Sequence, residues 1–313
     1  MRVFLNFFLT LISIALFSFP ATSIARTWNI TADGSGDAPT IQAAIDSCTN
    51  GDIVRLASGT YTSDGNRDID FFGKRIIVRG STGVASDCII DCQGSPSENH
   101  RGFIFQTYEN SDSRLESLTI INGYLHSSTP GPDVAGGGIL VLSYSSPSLY
   151  NLILKDNRAV SGGGIYIMAS EMDVRACRFL NNQAPFGGGG GISAFQWIPR
   201  KPLEDCIFQG NSTHQAGGGL NSSYGELMVR RCQFLENEVD AAGYGAGYCG
   251  YEENCEFEDC TFARNTTNQP DVACVGGGLY VENGSCQLNR CTIVENVTRA
   301  NGSGIAFQTF NPI

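Results

Sequence analysis

Apolar residues recur at fixed offsets along most of this chain. From about residue 113 they stand at offsets 0, 2, 5 and 7 of a repeat, and an asparagine follows at offset 10. Alternation with a period of two is typical of a β-strand, and the skip from offset 2 to offset 5 leaves two residues for a bend between two strands. The pattern is complete in the segments that begin at Met172, Leu227, Cys255 and Cys286, and segments around Leu152 and Cys206 also fit it.

A glycine cluster followed by an apolar residue returns seven times between these segments. The last glycines of the clusters lie 26 to 31 residues apart, at Gly138, Gly164, Gly191, Gly219, Gly247, Gly278 and Gly304. Self-similarity at such a period is the mark of a solenoid. With one strand after each cluster, the repeats predict an all-β fold, a right-handed parallel β-helix with three short strands per coil, in which each strand pairs with its equivalent one coil away.

One segment near the start has a helical pattern. Pro39 to Cys48 places Ile41, Ala44 and Ile45 on one face. We expect a short N-terminal capping helix that covers the open edge of the first coil, because exposed strand edges invite aggregation. The expected organisation is a signal peptide at residues 1–25, the cap helix and first coils at 26–112, and regular repeats of the same domain at 113–313.

The first 25 residues resemble a secretion signal. Arg2 precedes an apolar run, and Ser23 and Ala25 supply small residues at the positions that signal peptidase accepts. An uncleaved anchor helix is the alternative, since the run is about as long as the shortest membrane-spanning helices. No later segment is apolar for long enough, so the mature chain is predicted not to span a membrane as a helix and to be secreted or held at the cell surface.

Charge and cysteine content narrow the classes of function. The net charge of −11 argues against a nucleic-acid partner, which requires a basic surface. Five of the twelve cysteines form a predicted inward column, Cys177, Cys206, Cys232, Cys260 and Cys291. Buried free thiols and disulfides between adjacent coils, such as Cys255 to Cys286, both remain open. Seven Asn-x-Ser/Thr sequons indicate either glycosylation sites or the preference of the repeat for asparagine before a small polar residue.

The repeat motifs resemble those of a known group of proteins. Phe-x-x-Asn occurs at Phe179 to Asn182, Phe208 to Asn211, Phe234 to Asn237 and Phe262 to Asn265, together with the Gly-Gly-x-Ile/Leu clusters. This pairing is similar to the repeats of chlamydial polymorphic outer-membrane proteins and of secreted right-handed β-helix proteins in the pectin-lyase-like superfamily. The resemblance implies the fold.

The chlamydial proteins end in a membrane barrel, which this chain does not show, and the expected last coil lacks a cap. An abbreviated chain, a partner at that coil and a frayed end are the alternatives.

Enzymes are common on this fold, and many of them use clustered carboxylates. The chain has no Asp-Asp dipeptide, and none of its three histidines follows a glycine, so the motif of polygalacturonase-type hydrolysis is missing and no catalytic residue is identified. The densest acidic patch contains Glu256, Glu258 and Asp259. We expect either a solvated face or a weak Ca²⁺ site there, because carboxylate oxygens are the ligands that Ca²⁺ prefers.

Three aromatic residues are candidates for sugar binding. Tyr166 and Tyr280 occupy the outward position after a glycine cluster, and Trp197 lies in an irregular insertion on a predicted loop. The alternative for Trp197 is that the loop packs this ring over the edge of the coil. The sequence therefore favours a non-catalytic scaffold or adhesin that binds a polysaccharide or a surface protein. The alternative is a pectate-lyase-like lyase or a hydrolase that acts on acidic polysaccharide.

Overall fold

The chain winds into a parallel β-solenoid. The computed structural model describes residues 24–126, 131–241, 243–268, 275–298 and 303–309. These residues form 33 strands in four sheets, and every pairing between the strands is parallel. The ten strands of the longest sheet correspond to about ten turns. The predicted parallel β-helix is confirmed, whereas its handedness and its three strands per coil stay predictions. The predicted signal peptide lies almost wholly outside the described residues.

We label the four sheets A to D. Around a turn the chain passes through sheets A, B and C in that order, and in the later turns sheet D lies between B and C. Sheet A contains Thr27–Ile30, Ile53–Leu56, Ile77–Gly80, Arg114–Glu116, Ser148–Tyr150, Asp173–Arg175, Leu203–Glu204, Glu226–Arg230, Asn254–Glu258 and Ser285–Asn289. Sheet B contains Gly59–Tyr61, Cys88–Asp91, Thr119–Ile121, Ile153–Lys155, Arg178–Leu180, Ile207–Gln209, Gln233–Leu235, Thr261–Ala263 and Thr292–Val294. Sheet C, which follows the glycine clusters, contains Ile69–Asp70, Phe103–Phe105, Ile139–Val141, Ile165–Ser170, Ile192–Trp197, Leu220–Ser223, Tyr248–Tyr251, Leu279–Glu282 and Ile305–Gln308. Sheet D consists of two-residue strands in the later turns, Gln183–Ala184, Ser212–Thr213, Glu238–Val239, Thr266–Thr267 and Val297–Thr298.

The predicted helix is present, from Ile41 to Ser47. Thr40 caps its N-terminus by accepting a hydrogen bond from the Ala43 amide at 3.2 Å, which satisfies one of the donors that a helix start leaves free. Its buried residues Ile41, Ala44 and Ile45 pack toward the first strands of sheets A and C. Two short 3-10 helices, Ala85–Asp87 and Pro132–Val134, complete the helical content of the described chain. None of these helices has both the length and the apolar character needed to cross a membrane.

Residues with a left-handed backbone conformation (positive φ) turn the chain at its corners. In sheet B the corner position is held in successive turns by Asn122, Asp156 and Asn181, all with φ between 54° and 57°. Asparagine and aspartate tolerate this conformation better than most residues. The first glycine of a cluster does the same at another corner, as Gly189 does with φ of 70°. The third glycine has a different role, because a Cβ on Gly191 would lie 2.4 Å from the Gly219 carbonyl oxygen of the next turn.

Equivalent side chains stack into columns inside the solenoid. Phenylalanines of the Phe-x-x-Asn motif form one such column: Phe179, Phe208, Phe234 and Phe262 are fully buried, and neighbouring rings are stacked with centroids 4.6 to 4.8 Å apart. Offset stacking of this kind adds to the free energy gained from burying the rings.

The inward cysteine column is also present. The Cys206 thiol lies 3.4 Å from the Cys177 amide, and the Cys232 thiol lies 3.3 Å from the Cys206 amide. Burial raises the pKa of Cys177 and Cys206, so both remain protonated thiols. All eleven cysteines of the described residues are free, and Cys274 lies outside them. The structure therefore agrees with stacked core thiols.

Asparagine side chains form a ladder along the whole regular part of the solenoid. The side-chain Nδ2 of Asn211 donates to the Phe179 carbonyl and to Oδ1 of Asn237, both at 2.9 Å, and its Oδ1 accepts from the Asn182 amide at 3.0 Å. The members of the ladder are Asn157, Asn182, Asn211, Asn237, Asn265 and Asn296. Each one satisfies backbone groups that the corner would otherwise bury without a partner.

The ladder also explains several sequons. Asn211, Asn265 and Asn296 are sequon asparagines whose side chains are buried in the ladder. Buried amides of a folded chain are not accessible to a glycosylating enzyme, so these three sequons reflect the repeat. The sequon at Asn301 falls outside the described residues.

The last turn differs from the others in burial. Strands Ser285–Asn289 and Ile305–Gln308 each stand at the end of their sheet. The core positions Cys286, Leu288, Cys291, Ile293 and Ile305 are only partly buried here. Whether a partner covers this end stays a prediction.

Replacing Asn211 by alanine tests the ladder. The change leaves the buried Asn182 amide without an acceptor, which costs about 1 to 3 kcal/mol, and it removes the hydrogen bonds that Asn211 Nδ2 donates to the Phe179 carbonyl and to Asn237 Oδ1. We expect the free energy of unfolding, measured by urea denaturation, to fall by about 2 to 4 kcal/mol. The control is Asn289→Ala, at an exposed position of sheet A, which should change the value by less than about 0.5 kcal/mol. Equal effects of the two changes would contradict a structural role for the ladder.

Candidate functional site

Trp197 does not lie on a surface loop. It is the last residue of strand Ile192–Trp197 and is 0% exposed, and its indole Nε1 donates to the Met172 carbonyl at 3.0 Å. The preceding Gln196 has φ of 54°, and this left-handed corner turns the next side chain into the core. The prediction that Trp197 offers its ring to a sugar is therefore wrong for the folded chain.

Tyr166 and Tyr280 do occupy outward positions of sheet C, four turns apart. Tyr280 is nevertheless 1% exposed, because it stacks on Tyr244 with ring centroids 4.7 Å apart. Its hydroxyl donates to Gln308 at 2.8 Å and to Glu282 at 3.1 Å. Tyr166 is half-buried, and this burial raises the pKa of its hydroxyl. The two rings share a column but are not brought together.

A different set of aromatic rings lies on the same side of the solenoid. Phe195, Tyr224 and Tyr251 belong to three successive turns, and we call them the aromatic strip. The ring centroids of Phe195 and Tyr224 are 5.1 Å apart, and those of Tyr224 and Tyr251 are 5.4 Å apart. Phe195 is 38% exposed and Tyr224 42% exposed, whereas Tyr251 is partly buried. Neighbouring rings cross at 61° and 73°.

The register of sheet C explains the strip. Phe195 pairs with Ser223 and Ser223 pairs with Tyr251, so the outer two rings share one outward column. Tyr224 occupies the left-handed corner that follows, with φ of 59°. The rings predicted from sequence, Tyr166 and Tyr280, stand at the first outward position after a glycine cluster. Aromatic residues at the second outward position and at the corner that follows would have indicated the strip.

A carboxylate lies beside one end of the strip. The neighbouring Glu252 and, next, Tyr224 raise the pKa of the Tyr251 hydroxyl to about 12. Glu252 is an exposed corner residue, like Tyr224 one turn earlier. One end of the strip therefore carries a negative charge.

A groove of about 450 Å³ adjoins the strip at Tyr224. Its walls include the exposed side chains of Tyr144 and Ile198. Glu171 and Arg200 form an ion pair at 2.8 Å on its margin. The groove thus combines apolar surface with planar polar groups, which is typical of ligand sites.

The predicted acidic patch is part of an ion-pair ladder. Asp259 accepts two hydrogen bonds from Arg290, at 2.7 and 2.8 Å, and Glu258 contacts Arg290 at 2.6 Å and Arg230 at 2.9 Å. The Arg290 guanidinium lowers the pKa of Asp259. Glu256 accepts only from Asn289, at 3.2 Å. The geometry places arginines, and not a shared cavity, against Glu258 and Asp259.

No metal centre is evident in the part of the chain that the structure describes. There, no three His, Cys, Asp or Glu side chains lie close enough together to hold a metal ion. The Ca²⁺ site at Glu256, Glu258 and Asp259 thus gains no support from the geometry, and it stays untested.

Glu253 is the most unusual carboxyl group of the described chain. It is 2% exposed, and neither of its oxygens has a hydrogen-bond partner. The hydroxyls of Ser222 and Tyr248 are also buried without partners. Burial raises the pKa of Glu253 to about 7, and the nearby hydroxyls of Ser222 and Tyr248 oppose this shift. A carboxyl group with this pKa would suit acid–base catalysis, but substrate cannot reach it in the core.

Calcium addition tests the acidic patch. Because arginines already neutralise Glu258 and Asp259, we expect millimolar CaCl₂ to leave the melting temperature unchanged relative to EDTA. The measurement is differential scanning fluorimetry at constant ionic strength. A rise in melting temperature that Asp259→Asn abolishes would show a calcium site and overturn this interpretation.

The stability of the protein should depend on Glu253. Its pKa is about 7 when folded against 4.5 for the unfolded reference, so its contribution is fully present below pH 4.5 and is lost as the pH rises to about 7. The expected fall in the free energy of unfolding is about 3 kcal/mol. Glu253→Gln should remove this fall, measured by urea denaturation across the range, whereas the exposed Glu226→Gln should retain it. A wild-type slope in Glu253→Gln would contradict the assignment.

Comparison of this chain with protein-family models, with curated proteins and with solved structures gave no match. The resemblance to the pectin-lyase-like superfamily therefore stays a prediction beyond the parallel β-helix itself.

Proposed function

We propose that this chain is a secreted or surface-held scaffold, a right-handed β-helix of the pectin-lyase-like kind, that binds a glycan chain along the aromatic strip. One observation carries the proposal: Phe195 and Tyr224 expose rings on two successive turns of the solenoid, and the partly buried ring of Tyr251 continues the row on the third. Exposed aromatic rings in a row are unusual on a soluble protein and commonly mark a binding site.

The spacing of the rings suits a polymer. The centroids lie 5.1 and 5.4 Å apart, a distance of the same order as the length of one pyranose unit. The C–H faces of a sugar pack well on an aromatic ring, and the hydroxyls remain free for polar contacts. A glycan that runs parallel to the solenoid axis would therefore meet a new ring at about every unit.

The groove supplies the polar contacts. Gln196 lines it beside Tyr224, and the Glu171–Arg200 pair lies at its margin. A sugar hydroxyl can donate to the carboxylate and accept from the guanidinium at the same time. Both side chains of the pair are at least half exposed, so a ligand can reach them both.

Binding is favoured over cleavage by the placement of the carboxyl groups. Glu253, with the raised pKa, is buried, and Asp259 is held by Arg290 on another face. Neither lies in the groove. Polysaccharide cleavage remains the alternative function, and the strip would then serve to hold the substrate.

Tyr224→Ala tests the proposal. The change removes the central ring of the strip and should weaken binding to a glycan identified on an array of plant, fungal and bacterial polysaccharides by roughly 2- to 12-fold, since one aromatic contact contributes about 0.5–1.5 kcal/mol. Affinity is measured by calorimetry.

Tyr150→Ala is the matched control. Tyr150 is exposed on sheet A, away from the strip, and its removal should leave the affinity unchanged. Retention of a surface protein in place of any glycan, or equal losses for the two variants, would overturn the proposal.

A further inference from the structure

We propose that the glycan held by the aromatic strip is uncharged, and that this face of the solenoid discriminates against uronate-rich polysaccharides. The inference rests on the proposed function and adds the class of ligand. It is carried by the distribution of charge around the strip.

The sheet that carries the strip has no basic residue in its strands. All nine strands of sheet C are described, and they contain no lysine or arginine. Their only charged residues are Asp70 and Glu282. Because recognition of a carboxylate depends on a cation or on several donors, this sheet offers an acidic sugar no counter-charge.

Carboxylates stand at the Tyr251 end of the strip. Glu252 follows Tyr251 directly and is an exposed residue of the corner. Glu282 is the strand partner of Tyr251 in the next turn, and it accepts from Tyr280 at 3.1 Å. A uronate ring stacked on Tyr251 would bring its own carboxylate toward two like charges, which repel it.

The cation at the margin of the groove is already paired. Arg200 lies at the margin of the groove and bonds Glu171 at 2.8 Å. An acidic sugar would have to compete with Glu171 for this guanidinium. A neutral sugar has no such conflict, because its hydroxyls can bond both members of the pair.

Other arginines are concentrated on a different face. Arg175, Arg230, Arg231 and Arg290 belong to sheet A and its bend, and each lies within salt-bridge distance of an aspartate or glutamate. The chain therefore has basic side chains, yet it places them away from the strip. The absence of cations in sheet C is thus a property of that face and not of the whole surface.

The test compares three hexasaccharides by calorimetry at low and at physiological salt. They are the neutral one with the strongest array signal, hexagalacturonate and a cationic chitosan hexamer. We expect the acidic hexamer to bind at least 10-fold more weakly than the neutral one at low salt, and the ratio to shrink as salt screens the repulsion. The double variant Glu252→Gln, Glu282→Gln should reduce the ratio by at least 3-fold. Glu226→Gln, an exposed change on sheet A, should leave the ratio as in the wild type. Circular dichroism checks that each variant is folded.

The outcomes separate the inference from the proposed function. Hexagalacturonate binding that equals or exceeds neutral binding, and that Tyr224→Ala weakens, would retain the strip as a glycan site but overturn the inference. A ratio that the double variant does not change, or tightest binding by a cationic chitosan hexamer, would also overturn it. If Tyr224→Ala leaves every affinity unchanged, the proposed function itself fails, and the inference fails with it.

Discussion

Parallel pairing of each turn with the next, in register, is the constraint on which the rest of this structure depends. It places like residues above one another at the turn spacing, so that a favourable contact in one turn is repeated in its neighbours. The same rule applies at the corners, where backbone amides and carbonyls would be buried without partners. The asparagine ladder meets that need through Asn182, Asn211 and their equivalents. The phenylalanine and asparagine columns lie three residues apart in sequence, and both result from the same in-register stacking of turns.

Stacking imposes a condition on charge as well. Equivalent outward positions are close enough that like charges in successive turns would repel. The corner after sheet A avoids this by alternation, as Asp205, Arg231, Asp259 and Arg290 follow one another. Each arginine contacts an aspartate of the preceding turn at 2.7 Å. Exposed pairs of this kind contribute little one by one, but a shift of register by one turn would place like charges together.

The fold was largely predictable from the sequence, and the candidate site was not. Period-two alternation and the bend at offsets 2 to 5 located the strands and the cysteine column, because the buried positions repeat from turn to turn. Exposed positions carry no such regularity. Trp197 was misplaced because a left-handed residue at Gln196 extends the strand around a corner, and sequence spacing does not reveal backbone handedness at a glutamine. The strip was missed for the same reason, since its central ring, Tyr224, stands at that corner in the next turn.

The asparagine ladder also gives the solenoid a direction. In every step the side-chain Nδ2 donates to the asparagine of the turn that follows, and the amide oxygen accepts from the turn before, as between Asn157 and Asn182, while Nδ2 also donates to a carbonyl of the preceding turn, as to Ile120. The side-chain amides are therefore aligned head to tail, and each bond polarises the next. Peptide dipoles add in this way along an α-helix. Here side-chain amides contribute dipoles along the solenoid axis, with their positive ends toward the later turns.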